Sequence, residues 1–580
     1  MSTPAELVQR FPASPDQLHS MPWEALRDWY QALAAVPLSA TNSEEWLAAW
    51  SRLESLISEA ASAAMIGYTC DTTDPAKEKT HLRFAAEVLP KAEEQSVGLA
   101  RKLVESGLQP PGMETVMARF RTAIELFREA NVPLFSDLEE LGSGYQKITG
   151  AMTARWDGRS VPLPQLAPFL QSADRAVRER AYRATVAPYV AARDELANLF
   201  NRMRAQRQQV ARNAGFANYR DYIFPAKFRF DYTPDDCRRF HDAVEATVVP
   251  AVVRNLEERR ARLGVDRLRP WDLAVNPYRL EADRPFEGAD QLIDGAARIF
   301  ADLDAGFASE FRVMMDEGLL DLESRHGKAP GGYCDTLHVR GRPFIFMNAS
   351  GVVDDVMTLL HEAGHAFHAF ASHRLPLIWQ RHPGSESAEL ASMSMELLAG
   401  GRLGRPIGYL GEVDARRALL DRLEDLVATL GHIASIDAFQ HWIYVDDAGA
   451  DPEARDAAWL DIRGRFEPAV DWEGLEAERV GRWYRQLHVF LYPFYYIEYG
   501  IAQLGALQVW RNSLADPVAA VAAYRDFLAL GATRPLPELY RTAGARLVFD
   551  PAGMAELVQL VEEQTARLRE GLPPREVALS

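Results

Sequence analysis

Cysteine is scarce in this chain, with three residues, Cys70, Cys237 and Cys334, among 580. They stand far apart and form no CxxC pair, which argues against a disulfide framework and fits a reducing cytosol. Long apolar runs are missing too. None approaches the roughly 20 residues that a membrane helix needs, so no membrane partner is expected. The first twenty residues, MSTPAELVQRFPASPDQLHS, lack both a basic and an apolar region of the secretory type, so no signal peptide is expected and the reading is cytoplasmic. Positive charge is in deficit: 64 Lys and Arg against 82 Asp and Glu give a net charge of -18. Phosphate binding wants a basic patch, so nucleic acid is not expected as a main partner. Fixed-period repeats and low-complexity tracts are absent as well.

β-signal is almost as rare. Segment 43–64 has apolar residues at helical spacing and a candidate cap in Ser43, and segments 174–213, 235–263 and 411–431 read as long helices charged on one side. Only 333–340 and 343–348, flanking Gly341-Arg342, read as strands joined by a tight turn. Stretches 156–165 and 267–289, rich in Pro, Gly and charge, read as linkers or surface loops. Pro573-Pro574 suggests that order fades near the end.

The segment His361-Glu362-Ala363-Gly364-His365 carries the chemistry. Histidines four apart on a helix are separated by about 6 Å of rise and about 40° of rotation, so both imidazoles share one stripe and can ligate one zinc. Glu362 borders the same site, about 60° from His365, where it can act as general base toward the attacking water. A catalytic zinc needs a third protein ligand and an open position. His368 is on the same stripe but about 10 Å along the axis from His361, too far for one metal on a straight helix. Glu389, in a second helical segment between Pro383-Gly384 and Gly400-Gly401, is the preferred third ligand. Glu396, seven residues on, is read as the carboxylate that orients a ligating histidine, with a solvated helix charge as the bland alternative. One Zn²⁺ per chain is expected, and His368 is read as a buried neighbour rather than a ligand.

HEAGHAFH followed by AELASMSME resembles the M3 family of zinc peptidases, the thimet oligopeptidase and oligoendopeptidase F group, and most of all its oligoendopeptidase F branch. The segment from His488 through Tyr492, Pro493, Phe494, Tyr495 and Tyr496 to Glu498-Tyr499 is similar to that branch. So are Arg212 to Tyr222 and GGYCDTL leading to FIFMN. The resemblance spans about 200–560, and the first 150 residues share only helical character. It implies a mainly α, two-lobed peptidase with a deep central channel and one small β-sheet beside the zinc helix. It also implies cleavage of internal bonds in short unstructured oligopeptides. On this reading 1–160 is an N-terminal helical region. Residues 161–575 form the catalytic region, with the zinc site at 361–396 and a substrate segment at 488–499.

Pro493 fits the first turn of a helix that would align Tyr492, Tyr496 and Tyr499. His488, Tyr496 and Tyr499 are the candidates for stabilising the oxyanion and gripping the substrate backbone, with Tyr492 and Tyr495 as further cleft candidates. A tyrosine-rich core helix is the alternative. The 333–348 hairpin is either a strand that pairs with extended substrate or a plain structural element. A zinc carboxypeptidase or peptidyl-dipeptidase, and a peptide-binding protein without catalysis, are the rival functions.

Overall fold

The computed structural model describes residues 3–278 and 284–572. Pro573-Pro574 and positions 279–283 of the 267–289 stretch lie outside them. Helices dominate, and among the described residues no helix is long and apolar enough to cross a membrane. Among the described residues five short strands complete the fold: β1 (Thr153–Trp156), β2 (Arg159–Pro162), β3 (Leu320–Glu323), β4 (Tyr333–Leu337) and β5 (Arg342–Ala349). The chain divides into two compact units. One comprises Met1–Leu126, Asp283–Ala415 and Gly505–Leu547; the other comprises Phe127–Ala282, Arg416–Leu504 and Val548–Ser580. Residues 1–160 and 161–575 therefore each contribute to both units.

In the first unit, helix Ser43–Cys70 turns Trp46, Trp50, Leu53, Ile57 and Ala60 inward at three- and four-residue spacing. These side chains anchor an apolar core that runs from Leu7 to Met117. The cap differs from expectation. Asn42 is the residue before the first turn, and its side chain is drawn back to accept the Ser39 N–H at 2.8 Å, so Ser43 is simply the first helical residue. The expected hairpin is present, but β4 ends at Leu337. Gly341, left-handed at φ 64°, closes a longer turn by donating its N–H to Leu337 O at 2.8 Å. The sheet has a third member as well: β3 pairs parallel with β5, giving the order β3-β5-β4. Its sequence, LDLE, is too short and too charged to announce a strand.

In the second unit, β1 and β2 form a separate antiparallel hairpin over 153–162, overlapping the stretch 156–165 that reads as a linker. This small sheet is additional to the expected one, β3-β5-β4, which leads into the His361 helix. Asp157 and Gly158, both at positive φ, make the two-residue turn, the Asp-Gly pairing that suits the twist of a hairpin. Trp156 and Ala154 pack on Leu166 and Ala181. The helix expected over 235–263 runs as Pro234–Ala243 and Val249–Leu263 through one wide turn at Val244–Val248. The one expected over 411–431 continues as Glu412–Val445.

Candidate active site

Helix Val353–Ser372 follows β5 directly. Its start is held by Asp355, whose carboxylate accepts the N–H groups of Ser350, Gly351 and Val352 at 2.7, 2.8 and 3.0 Å. Leu359, Leu360, Ala363 and Phe367 face the core and set the rotation of the helix. That rotation leaves the side chains of His361 and His365 about a fifth exposed, at 23% and 22%.

Helix Ser385–Gly400 crosses this helix at Gly364. A Cβ there would lie 2.6 Å from Ser392 Cα and 2.8 Å from Ala391 O, so only glycine permits the approach. The crossing delivers Glu389. Its Oε2 lies 3.5 Å from His361 Nε2 and 4.0 Å from His365 Nε2. The three donors are all within 4.8 Å of one another. Ser392 Oγ donates to the same Glu389 oxygen at 3.1 Å, and the Tyr524 hydroxyl holds the crossing by donating to Ala391 O at 2.7 Å. The other face of His361 meets Glu396: Nδ1 and Oε1 are 2.7 Å apart.

The electrostatics follow from this crowding. Burial opposes a charged His361, but Glu396 and then Glu389 outweigh it and raise the imidazole to about 9. A divalent cation on Nε2 would take the place of that proton. Burial, reinforced by His361, drives His365 well below its ordinary value, so it is neutral and free to ligate. Glu362 is nine-tenths enclosed. Burial raises its carboxyl, His361 pulls it down, Glu389 and Glu396 push it up again, and it comes to about 7. The Cys334 backbone on β4 also favours the charged carboxylate. Two imidazoles, one carboxylate and a neighbouring basic carboxylate form a donor set with the composition of a catalytic metal site that keeps a position open.

His368 takes no part in this convergence. It is buried, its Nε2 has no hydrogen-bond partner, and its ring lies 5.5 Å from Phe527. Cys334 is half-buried, and burial followed by the Glu362 charge pushes its thiol far up, which disfavours the reactive thiolate.

The aromatic candidates gather in the second unit, with a different backbone from the one expected. Pro493 does not open a helix. Helix Leu487–Leu491 ends at Tyr492, Phe494 takes a left-handed φ of 63°, and the next helix, Tyr496–Ala515, begins after it. Gln440 accepts the Phe494 N–H at 3.0 Å, and Phe494 is fully buried. Tyr492 consequently leaves the stripe and is 54% exposed. The side chains nevertheless group around His488, whose ring lies 5.1 Å from Tyr496, 5.7 Å from Tyr495, 5.8 Å from Tyr492 and 6.2 Å from Tyr499. Burial, then Lys227, lowers His488, so it is a neutral imidazole. The Tyr496 hydroxyl donates to Gln486 at 3.1 Å. Lys227, which sequence reasoning passed over, sits 4.9 Å above the Tyr495 ring and pairs with Glu498 at 3.1 Å.

Comparison with known proteins matches this architecture. The family model described as Peptidase family M3 covers residues 169–558, and that of the Peptidase M3 N-terminal domain covers 19–111. The second match extends the likeness into a region where the sequence alone showed only helical character. Oligopeptidase PepF of Bacillus subtilis is 24% identical over 420 residues, 69% of this chain and 58% of that protein. An oligoendopeptidase F homolog of Lactococcus lactis is 23% identical over 57% of this chain and 53% of its own length. The matched part of this chain thus spans little more than half of those relatives. The structure of PZ peptidase A with an inhibitor superposes with a TM-score of 0.87 at 27% identity, over 97% of this chain and 99% of that one. With two thirds of its length matched by the family model, and with the HEAGH helix and Glu389 inside that match, the chain belongs to peptidase family M3.

Proposed function

We propose that this protein is a zinc-dependent endopeptidase that hydrolyses internal bonds of short, unstructured oligopeptides. The observation that carries the reading is the convergence of His361, His365 and Glu389 with Glu362 beside them. The relatives named oligopeptidase and oligoendopeptidase support the substrate class.

In this mechanism His361, His365 and Glu389 hold the metal, and Glu396 keeps Nδ1 of His361 engaged so that Nε2 faces it. A zinc ion held there would supply Lewis acidity toward the scissile carbonyl and the attacking water. Glu362, poised near neutrality, takes the proton of the attacking water and passes it to the leaving amine. The neutral imidazole of His488, Tyr499, and Tyr496 once its hydroxyl leaves Gln486, are the candidates for donating hydrogen bonds to the developing oxyanion, with Tyr492 and Tyr495 as candidates for substrate contact. β4 is terminal in its sheet, a position that suits pairing with an extended peptide. Three unpaired cysteines fit a cytoplasmic setting.

Glu362→Gln tests the mechanism. The variant keeps the metal and loses turnover by at least about 100-fold, the scale of a missing general base. Wild-type rates of peptide cleavage by that variant would sink the assignment.

A further inference from the structure

The second unit contains another convergence of metal donors, and the peptidase reaction makes no use of it. Cys237 and His241 lie four apart on helix Pro234–Ala243; Asp437 and His441 lie four apart on helix Glu412–Val445. Each pair therefore projects from one stripe of its helix. His241 Nε2 is 2.8 Å from Asp437 Oδ2, and His441 Nε2 is 3.3 Å from that same oxygen. A donor atom from each of Cys237, Asp437 and His441 lies within 4.8 Å of the other two, the same bound that the active-site histidines and Glu389 satisfy.

All four side chains are buried, Cys237 and Asp437 completely. Asp437 Oδ1 and both ring nitrogens of His441 have no partner in hydrogen-bonding geometry. Unsatisfied polar atoms in a packed interior call for a partner, and these three belong to two of the converging metal-ligating side chains. The rings of Phe224 and Phe494 pack at 6.0 and 5.3 Å from His441 and close the surroundings with apolar surface.

We propose that this cluster is a structural Zn²⁺ site, with Cys237 Sγ, Asp437 and His441 as converging ligands and His241 as the fourth. A thiolate, a carboxylate and two neutral imidazoles make a closed set of four, the arrangement of structural zinc, and the thiolate selects against Mg²⁺ and Ca²⁺. The charges of Zn²⁺, thiolate and carboxylate sum to zero, which suits a buried location. Burial and the Asp437 charge push the Cys237 thiol far up, so the free cluster holds a protonated thiol, and that proton leaves to solvent when metal binds. Burial, its largest influence, lowers His441, which leaves it in the neutral, ligating form. The bound ion would tie the C-terminal parts of the two helices together, beside the His241–Asp437 hydrogen bond that joins them.

The test is Co²⁺ loading of the full chain in place of its native metal. The active-site donors are nitrogen and oxygen only, so a thiolate-to-cobalt charge-transfer band reports cysteine ligation. Wild-type protein is expected to bind two Co²⁺ per chain and to show the band. Cys237→Ser and His441→Gln each reduce the stoichiometry to one and abolish the band, while His361→Ala also binds one but keeps it. Cys334→Ser leaves the band intact. One Co²⁺ per chain with no thiolate band in the wild type overturns the proposal, whether or not any variant folds. So does a folded Cys237→Ser protein that still binds two, or a band that vanishes in Cys334→Ser instead.

Discussion

Gly364→Ala adds one methyl group at the crossing of helices Val353–Ser372 and Ser385–Gly400. The new Cβ must move from 2.6 Å to at least 3.4 Å from Ser392 Cα, an opening of about 0.8 Å, and its neighbours there are backbone atoms that cannot rotate away. Alanine is the better helix former by roughly 0.8–1 kcal/mol, whereas overpacking costs about 1–3 kcal/mol, so net stability falls by about 0–2 kcal/mol. The site should respond far more than the fold. The 3.5 Å separation of Glu389 Oε2 and His361 Nε2 would exceed 4 Å, and a metal site tolerates only about 0.2 Å of ligand displacement. We expect zinc affinity to fall at least about 10-fold in a chelator competition and kcat/KM on a quenched peptide to fall about 100-fold. Gly98→Ala is the control. It lies in helix Leu89–Glu105 with nothing within 4 Å of its Cβ, and it should gain up to about 1 kcal/mol with unchanged activity. A Gly364→Ala protein with wild-type zinc affinity and turnover would refute the idea that this crossing sets the ligand geometry.

Glu396→Gln removes the charge on His361 Nδ1 and should weaken metal binding by about 10- to 100-fold without unfolding the chain, as read by metal titration and a thermal melt. His488→Ala should lower kcat by about 100-fold with a smaller change in KM, which separates oxyanion support from simple peptide binding. Glu467 makes a prediction about acid stability. Burial would raise its carboxyl, but Arg482 and Arg463, at 2.6 and 2.7 Å, bring it down to about 2, while burial lowers Arg463 only to about 10, still charged. The unfolded value is about 4.3, so its contribution is complete above that pH and is lost as pH falls toward 2. Glu467→Gln should cost roughly 3 kcal/mol at neutral pH and make acid unfolding between pH 4 and 2 shallower, as followed by circular dichroism.

The candidate ligand set was legible because its logic is local. His361 and His365 share a helical stripe, and Glu389 and Glu396 stand seven apart on the next helix, so periodicity alone puts each pair on one face. Gly364 was visible as a letter, but its reason, the 2.6 Å approach of another helix, is a tertiary fact. The same holds for the Ser392 hydroxyl on Glu389, a contact that no spacing rule announces. The aromatic segment was misread for an opposite reason. Pro493 favours a helix start locally, but Gln440 from a distant helix captures the Phe494 N–H, and the left-handed turn there shifts Tyr492 out of line. In β1 and β2 the Asp-Gly turn signal was present. Strands of four residues, with arginine in each, were too short for alternation to register.

The central claim is tested most directly by incubating the full chain with an internally quenched peptide blocked at both ends, before and after metal removal and zinc restoration, and weighing the products. The account predicts cleavage at an internal bond, loss of activity with the metal, and recovery when zinc is returned. Cleavage that persists in the metal-free protein, or trimming confined to peptides with a free terminus, would contradict it.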